Sequence, residues 1–369
     1  MTPPPVIPQI AFRTDASLEI GTGHVMRCLT LADVLRQRGA DCTFICRAHD
    51  GHLLDYIRQR GHRVQALSGS SSIGCPSSGS AGHAHWLGAD WKVDAEQTRE
   101  ALGQVLFDYL VVDHYGLDRS WEKALRSACH RLMVMDDLAD RPHDCDLLLD
   151  PSLGRERTDY GPWTSSCTQV LLGPNYALLR PEFAAHRNES LARRTKGLFQ
   201  RLLITMGGVD KVNATGRVLG ALERSSVPRD LKITVIMGPN APWLDDIQAA
   251  AARMPVPTEI LVAVDNMAQL MAASDLAIGA AGGTSWERCC MGLPTIQFIL
   301  ADNQIGIADA LAKAGAAVCA DGQNFSDVFS QITGADSPEL LKKISKLACE
   351  ITDGLGAERV SEQILGRIL

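Results

Sequence analysis

The chain has 369 residues, 46% hydrophobic and 21% charged, with a net charge of −7 at pH 7. That length exceeds one ordinary core, so two domains are expected, and the composition excludes a disordered or fibrous chain. An acidic balance, 5% aromatics and no long basic run argue against a dedicated nucleic-acid binder, so any phosphate must be held by local devices. The 11 cysteines are scattered and include no Cys-x-x-Cys pair; they read as small buried hydrophobes in a reducing cytosol. The start, Met1-Thr2-Pro3-Pro4-Pro5, lacks the charged and apolar regions of a signal peptide. No apolar run is long enough to span a bilayer, so a cytoplasmic protein without membrane insertion is expected.

Short apolar runs alternate with helical patterns. Strands are expected at Ile7–Phe12, Cys42–Cys46, Arg63–Leu67, Tyr109–Asp113, Arg131–Met135, Leu147–Asp150 and Val170–Leu172. Helices are expected at His24–Arg38, with Val25, Cys28, Leu29, Ala32 and Leu35 on one stripe, and at Asp94–Leu106 and Asp118–Ala128. The rhythm restarts with strands at Leu202–Met206, Ile233–Met237, Ile260–Val264, Leu276–Gly279, Thr295–Ile299 and Ala316–Cys319. The helices between them include Asn213–Glu223, Ala268–Ala273, Ser285–Met291 and Gln304–Lys313. This βαβα order predicts an α/β protein of two doubly wound, Rossmann-like domains, each a parallel sheet with helices on both faces. The domains are placed at residues 1–185 and 195–369, with the boundary in Pro181–Gln200, a basic stretch of little apolar periodicity. Ser68–Gly82, rich in Gly and Ser, reads as a surface loop.

Four segments carry chemistry. Arg13-Thr14-Asp15, then Gly21-Thr22-Gly23-His24 and Arg27, join the first strand to the first helix. Ligands gather at strand carboxyl ends in such sheets, and glycine lets backbone approach them closely. His24 falls in the first helical turn, where the dipole favours the neutral imidazole that a general base needs. The pattern is equally compatible with a phosphate loop in which His24 caps or packs. Asp113-His114-Tyr115 ends another strand and suits either ligand orientation or structural hydrogen bonding. Asp136-Asp137 is similarly placed, but adjacent residues at a strand end point to opposite sides, which disfavours a shared metal.

Met206-Gly207-Gly208-Val209-Asp210 and Ala281-Gly282-Gly283-Thr284-Ser285-Trp286-Glu287 are glycine-rich turns leading from strands to helices. Each can offer amides to a phosphate, and together they indicate a nucleoside diphosphate. Glu287, one turn on, can accept from both ribose hydroxyls, or simply favour the helix's first turn.

At these residues the sequence resembles the family of UDP-2,4-diacetamido-2,4,6-trideoxy-β-L-altropyranose hydrolases of the pseudaminic acid pathway. The resemblance runs from about Ala11 to the C-terminus. It is carried by RTD-x5-GTGHVMRC at 13–28, WLG-x5-DAEQT at 86–98, VVDHY at 111–115 and DDLADR at 136–141. LLGPxYALLRPEF at 171–183, MGG at 206–208, NMAxLMAxSDLAI at 266–278 and AGGTSWE at 281–287 complete it. That family is similar to the GT-B glycosyltransferase that adds N-acetylglucosamine to lipid I. The resemblance implies two facing domains with a cleft between them, the C-terminal one holding UDP and the N-terminal one the reacting sugar.

It further implies His24 as general base, with no cofactor and no metal. Arg13, Asp15, Gly23, Arg27, Asp113 and Tyr115 are the candidates on the sugar side. Gly207, Gly208, Asn266, Met267, Gly282, Gly283, Thr284 and Glu287 are the candidates for UDP. The implied reaction is inverting attack of water at the anomeric carbon, releasing UDP and the free sugar. A GT-B glycosyltransferase, a UDP-sugar epimerase and a non-catalytic UDP-sugar sensor are the alternatives. A monomer is expected, because a two-domain cleft enzyme needs no partner subunit. Ser68–Gly82 looks like an insertion, and Ala357–Leu369 is expected, on the analogy, to pack as a helix on the first domain.

Overall fold

The computed structural model describes residues 7–68, 83–239, 241–334 and 336–368, so residues 69–82 of the expected surface loop lie outside it. The chain divides into two compact units, residues 1–178 with 356–369, and residues 179–355.

In the first unit seven strands form a sheet: β1 (Gln9–Thr14), β2 (Asp41–Arg47), β3 (Arg63–Leu67), β4 (Phe107–Asp113), β5 (Cys129–Met135), β6 (Leu147–Asp150) and β7 (Gln169–Leu172). Their order is β3-β2-β1-β4-β5-β6-β7, every pair parallel. The direction of winding reverses between β1 and β4, and there Thr14 lies in register with Asp113. Such a switch point opens a crevice at the strand carboxyl ends.

The sheet's two faces follow the period of two. Tyr109 and Val111 join Phe12 and Phe44 on one side, while Leu110 and Val112 join Ala11 and Ile45 on the other. Helix α1 (Gly23–Gln37) covers the first face with Cys28, Leu31, Ala32 and Leu35. The segment α2 (Leu54–Gln59) adds Leu54 and Ile57 to the same core. Helices α3 (Trp91–Leu102) and α4 (Arg119–Leu125) supply Ala95 and Trp121 to the opposite face. Asp90 and Asp118 cap them by accepting from Lys92 N (2.9 Å) and Ser120 N (2.8 Å). Helix α3 stops at Gly103 rather than at the expected Leu106, because Gly103 takes φ 68°, where a side chain is strained.

The second unit begins earlier than expected. Pro181–Arg194, within the stretch expected to hold the domain boundary, is helix α5, with Pro181 opening its first turn. It buries Phe183, Ser190 and Arg194, so two of its three buried positions are polar, which hides the apolar stripe. The sheet contains β8 (Arg201–Thr205), β9 (Lys232–Met237), β10 (Thr258–Val262), β11 (Leu276–Ala280), β12 (Thr295–Phe298) and β13 (Val318–Cys319). Their order is β10-β9-β8-β11-β12-β13, again parallel. The helices are α6 (Ala214–Glu223), α7 (Leu244–Arg253), α8 (Met267–Ala273), α9 (Thr284–Cys290), α10 (Ile305–Lys313), α11 (Phe325–Thr333) and α12 (Ser337–Cys349).

The last helix, α13 (Gly356–Leu365), belongs to the first unit rather than to the C-terminal domain of 195–369. Val360 and Ile364 are fully buried in the core that α1 covers, so burial of this apolar stripe fixes its place. No helix among the described residues is long and apolar enough to cross a membrane.

Candidate active site

In the first unit the functional side chains gather beyond the carboxyl ends of β1, β2 and β4. The chain leaves β1 at Thr14, turns at Gly21, whose amide donates to Ser17 O (2.9 Å), and enters α1 at Gly23. His24 therefore lies in the first turn. Gly23 is present for no reason internal to the fold: its φ is negative, and an added Cβ would meet nothing within 4 Å. Its lack of a side chain leaves room beside His24.

His24 is 8% exposed, and its Nδ1 is 2.7 Å from Asp113 Oδ1. Burial pushes the Asp113 carboxyl upward, but Arg27 and His24 outweigh it and hold it well below the usual carboxylate range. An ionised Asp113 can only accept, so His24 Nδ1 carries a hydrogen, and in the neutral imidazole the lone pair is on Nε2. Arg27 grips the same carboxylate with two bonds, Nε to Oδ2 and Nη2 to Oδ1, each 2.6 Å, and extends Nη1 to Asp137 Oδ2 at 2.9 Å. Asp137 also accepts from the Tyr115 hydroxyl, and the Tyr115 ring returns to His24 edge-on at 4.6 Å. The loop of contacts His24–Asp113–Arg27–Asp137–Tyr115 fixes the imidazole in position and tautomer. Trp86 stacks on Tyr115 with ring centroids 5.7 Å apart, and His83 lies 4.5 Å from Trp86.

A second network lies beneath. Arg13 is fully buried, donating to Asp94 through Nε (3.1 Å) and Nη2 (2.6 Å) and to Asp15 through Nη1 (2.6 Å). Arg47 Nη2 and Trp121 Nε1 complete the shell of Asp94 at 2.6 and 2.9 Å, while Asp15 Oδ1 also accepts from Arg47 N at 2.6 Å. Arg13, expected on the sugar side, is thus placed as a support that holds Asp15. Arg27 likewise has its guanidinium committed to two carboxylates. Asp136 and Asp137 point into different networks, Asp136 accepting from Tyr160 OH (3.1 Å) and Ala139 N (2.9 Å).

These carboxylates set an acid limit on the first unit. Burial raises Asp15, Asp94, Asp113 and the half-buried Asp137, yet neighbouring arginines carry each below its ordinary value. Below about pH 4 the unfolded chain therefore binds protons that the folded unit refuses, and stability falls as pH drops. In the second unit Glu287 is raised, by burial first, so its protonation favours the fold as pH falls. Pulsed hydrogen exchange from pH 6 to pH 3 should open β1, β4 and α1 before β8 and β11. The reverse order would refute this distribution of charge.

The second unit presents its candidates at the same edge of its sheet. Gly207 (φ 93°) and Gly208 follow β8 and are exposed. Gly208 passes so close to Gly238 that a Cβ on Gly238 would lie 1.8 Å from Gly208 O. The first amides of α6 are not open as the sequence suggested. Asp210 accepts from Ala214 N (2.8 Å) and Thr215 N (2.9 Å), and Asn213 accepts from Gly216 N (3.0 Å). Any phosphate role for this turn falls to Gly207 and Gly208.

The turn after β11 is different. Gly283 is exposed with an ordinary φ, and an added Cβ there would meet nothing within 4 Å. Neither packing nor backbone demands glycine, so its absent side chain leaves space over the loop. Gly282 is half-buried, and Thr284 opens α9. Glu287 is half-buried, and no side-chain donor among the described residues reaches its carboxylate. Asn266 is exposed at the N-cap of α8, with Met267 half-buried beside it. Sequence reasoning did not single out Asp94 or Arg288, and weighed Asp137 only as half of a metal pair. Asp137 had a signal in its strand-end position, while the Arg13–Asp94 pairing spans 81 residues and leaves no local pattern.

The architecture defines a fold class: two Rossmann-like units, each built on a parallel sheet. The solved structure of Acinetobacter baumannii MurG superposes with a TM-score of 0.69 at 14% identity, covering 98% of this chain and all of that one. Residues 202–352 match the glycosyltransferase family 28 C-terminal domain. More particularly, the chain is similar to the UDP-2,4-diacetamido-2,4,6-trideoxy-β-L-altropyranose hydrolase of Campylobacter jejuni, 25% identical over 83% of this chain and 97% of the relative. It is also 27% identical, over 80% of its length, to an uncharacterised protein of Methanocaldococcus jannaschii, of which it spans 56%.

Proposed function

We propose that this protein is a UDP-sugar hydrolase acting on UDP-2,4-diacetamido-2,4,6-trideoxy-β-L-altropyranose, in the cytoplasm and as a monomer. The observation that carries the reading is the His24–Asp113 pair at 2.7 Å, which orients the ring through Nδ1 and leaves Nε2 as the nitrogen that can take a proton in the neutral imidazole. Similarity to the Campylobacter hydrolase across most of both chains supports the substrate. In this mechanism the second unit binds UDP, with Glu287 accepting from the ribose hydroxyls and Asn266 and Met267 near the base.

Water attacks the anomeric carbon while His24 Nε2 takes its proton. The bond from that carbon to the diphosphate oxygen breaks, the electron pair leaves with UDP, and the configuration inverts. The donors for the developing negative charge are the amides of Gly207, Gly208, Gly282 and Gly283 and the Thr284 hydroxyl. Tyr115 is the sugar-side contact and Arg27 and Asp113 orient the base, while Asp15 is fully buried in the supporting network. No residue here needs a metal or cofactor for this chemistry.

The test is to mix the protein with that UDP-sugar, without metal or acceptor, and follow products by NMR. Release of UDP and an inverted free sugar is expected. The family 28 match favours a second reading, transfer of the sugar to an acceptor. Turnover that appears only when an acceptor is added would establish transfer and exclude hydrolysis. Saturable binding with no turnover under either condition would leave a sensor.

A further inference from the structure

Arg288 is 1% exposed, yet no carboxylate lies within salt-bridge distance of its guanidinium among the described residues. Its partners are neutral oxygens: Nη2 donates to Ala280 O (2.7 Å) and Ser285 Oγ (2.9 Å), and Nη1 to Thr284 Oγ1 (3.1 Å). Nε is buried without a partner. Buried charges are normally paired, because desolvation is costly and neutral dipoles offset only part of it. Burial accordingly pushes this guanidinium down to about 10. Arg194 is also buried without an ion pair, but its donors meet Met271 O and Ser274 O at the carbonyl end of α8, where partial negative charge collects.

The fold is built to admit Arg288. A Cβ on Gly279, in the central strand β11, would lie 2.7 Å from Arg288 Nη1 and equally close to Thr205 O of the neighbouring strand, so glycine there makes room for both. The cation bridges the two ends of the turn Ala281–Gly283, touching Ala280 O before it and Thr284 Oγ1 after it. Because Arg288 donates to Thr284 Oγ1, that hydroxyl keeps its own hydrogen for an outside acceptor.

We propose that Arg288 is a positioning residue whose buried charge is neutralised by the diphosphate of a bound nucleotide, acting through the Thr284 hydroxyl and the turn it clamps. The inference rests on the UDP-binding half of the proposed function and not on hydrolysis. In the hydrolytic reading the same charge favours departure of UDP.

The test is binding of UDP and of uridine to the full-length protein and to Arg288→Gln and Arg288→Lys, by calorimetry for UDP and ligand-observed NMR for uridine. Arg288→Gln should weaken UDP at least tenfold and leave uridine within twofold. Arg288→Lys, which keeps the charge but not the donor geometry, should retain most of the UDP affinity. Unchanged UDP affinity in Arg288→Gln would overturn the proposal. So would equal losses for UDP and uridine with Lys no better than Gln, which marks a purely structural tie. If Arg288→Gln does not fold, Thr284→Val takes its place, and a three- to tenfold loss confined to UDP is expected. No loss there would overturn the proposal equally. Tight UDP binding by the native protein without turnover would sink the hydrolase and leave this inference standing. Absence of UDP binding would sink the nucleotide reading and this inference with it.

Discussion

His24→Ala is expected to lower the turnover of UDP-sugar by roughly 10³-fold, near the middle of the range for a positioned general base, while UDP binds as before. The separation follows from the architecture. His24 belongs to the first unit, and every residue proposed to hold UDP belongs to the second. The variant should also fold. Asp113 keeps both bonds from Arg27 when the imidazole is removed, so no buried charge is orphaned. The measurement is kcat in single-turnover NMR together with calorimetric titration of UDP. A variant within about tenfold of native kcat would place the base elsewhere. A variant that lost UDP binding and turnover together would make His24 a structural residue. His24→Gln adds a control, since it restores a polar side chain but no proton acceptor of comparable basicity.

The fold was largely legible because each unit repeats one physical pattern. Continuous apolar strands such as Val111–Val112 signal a sheet buried on both faces, and chemistry placed just beyond them signals the crevice. Asp113 could be selected on that ground, and His24 from its place in a helix's first turn. Their pairing could not, because 89 residues separate them and nothing local records the contact. Arg13 shows the complementary error. An arginine after a strand suggests a ligand contact, and only the buried partner Asp94, contributed by α3, reveals a scaffold. Helix α5 was missed because Ser190 and Arg194 occupy buried positions where a periodicity argument needs hydrophobes. At Asp210 the sequence showed a glycine turn before a helix but not that Asp210 caps the helix itself. Arg288 was overlooked beside Glu287, since burial without a counter-charge is visible only in three dimensions.

Asp113→Asn should be nearly as damaging to turnover as loss of His24, and for a different reason. The amide is close in size to the carboxylate, so the hydrogen-bonding positions are retained while their chemistry changes. Its NH₂ group, facing His24 Nδ1, would donate there and force the ring hydrogen onto Nε2. The imidazole then presents a donor where the mechanism requires a lone pair, and kcat should fall by roughly 10²- to 10⁴-fold with no loss of UDP affinity. Arg27 adds a cost in stability. It would lose one of its two carboxylates in a buried setting, a change worth about 3–5 kcal/mol when one partner of a buried pair is removed. Retention of Asp137 at 2.9 Å holds the loss toward the low end. A lowered Tm with native UDP affinity and strongly reduced kcat would separate tautomer control from simple unfolding. Asp113→Glu sharpens the comparison, since it keeps the charge and the acceptor and should recover more activity than Asn. Asn and native protein turning over within threefold of each other would mean that Asp113 serves the fold alone, and that the orientation of His24 is set by its contact with Tyr115.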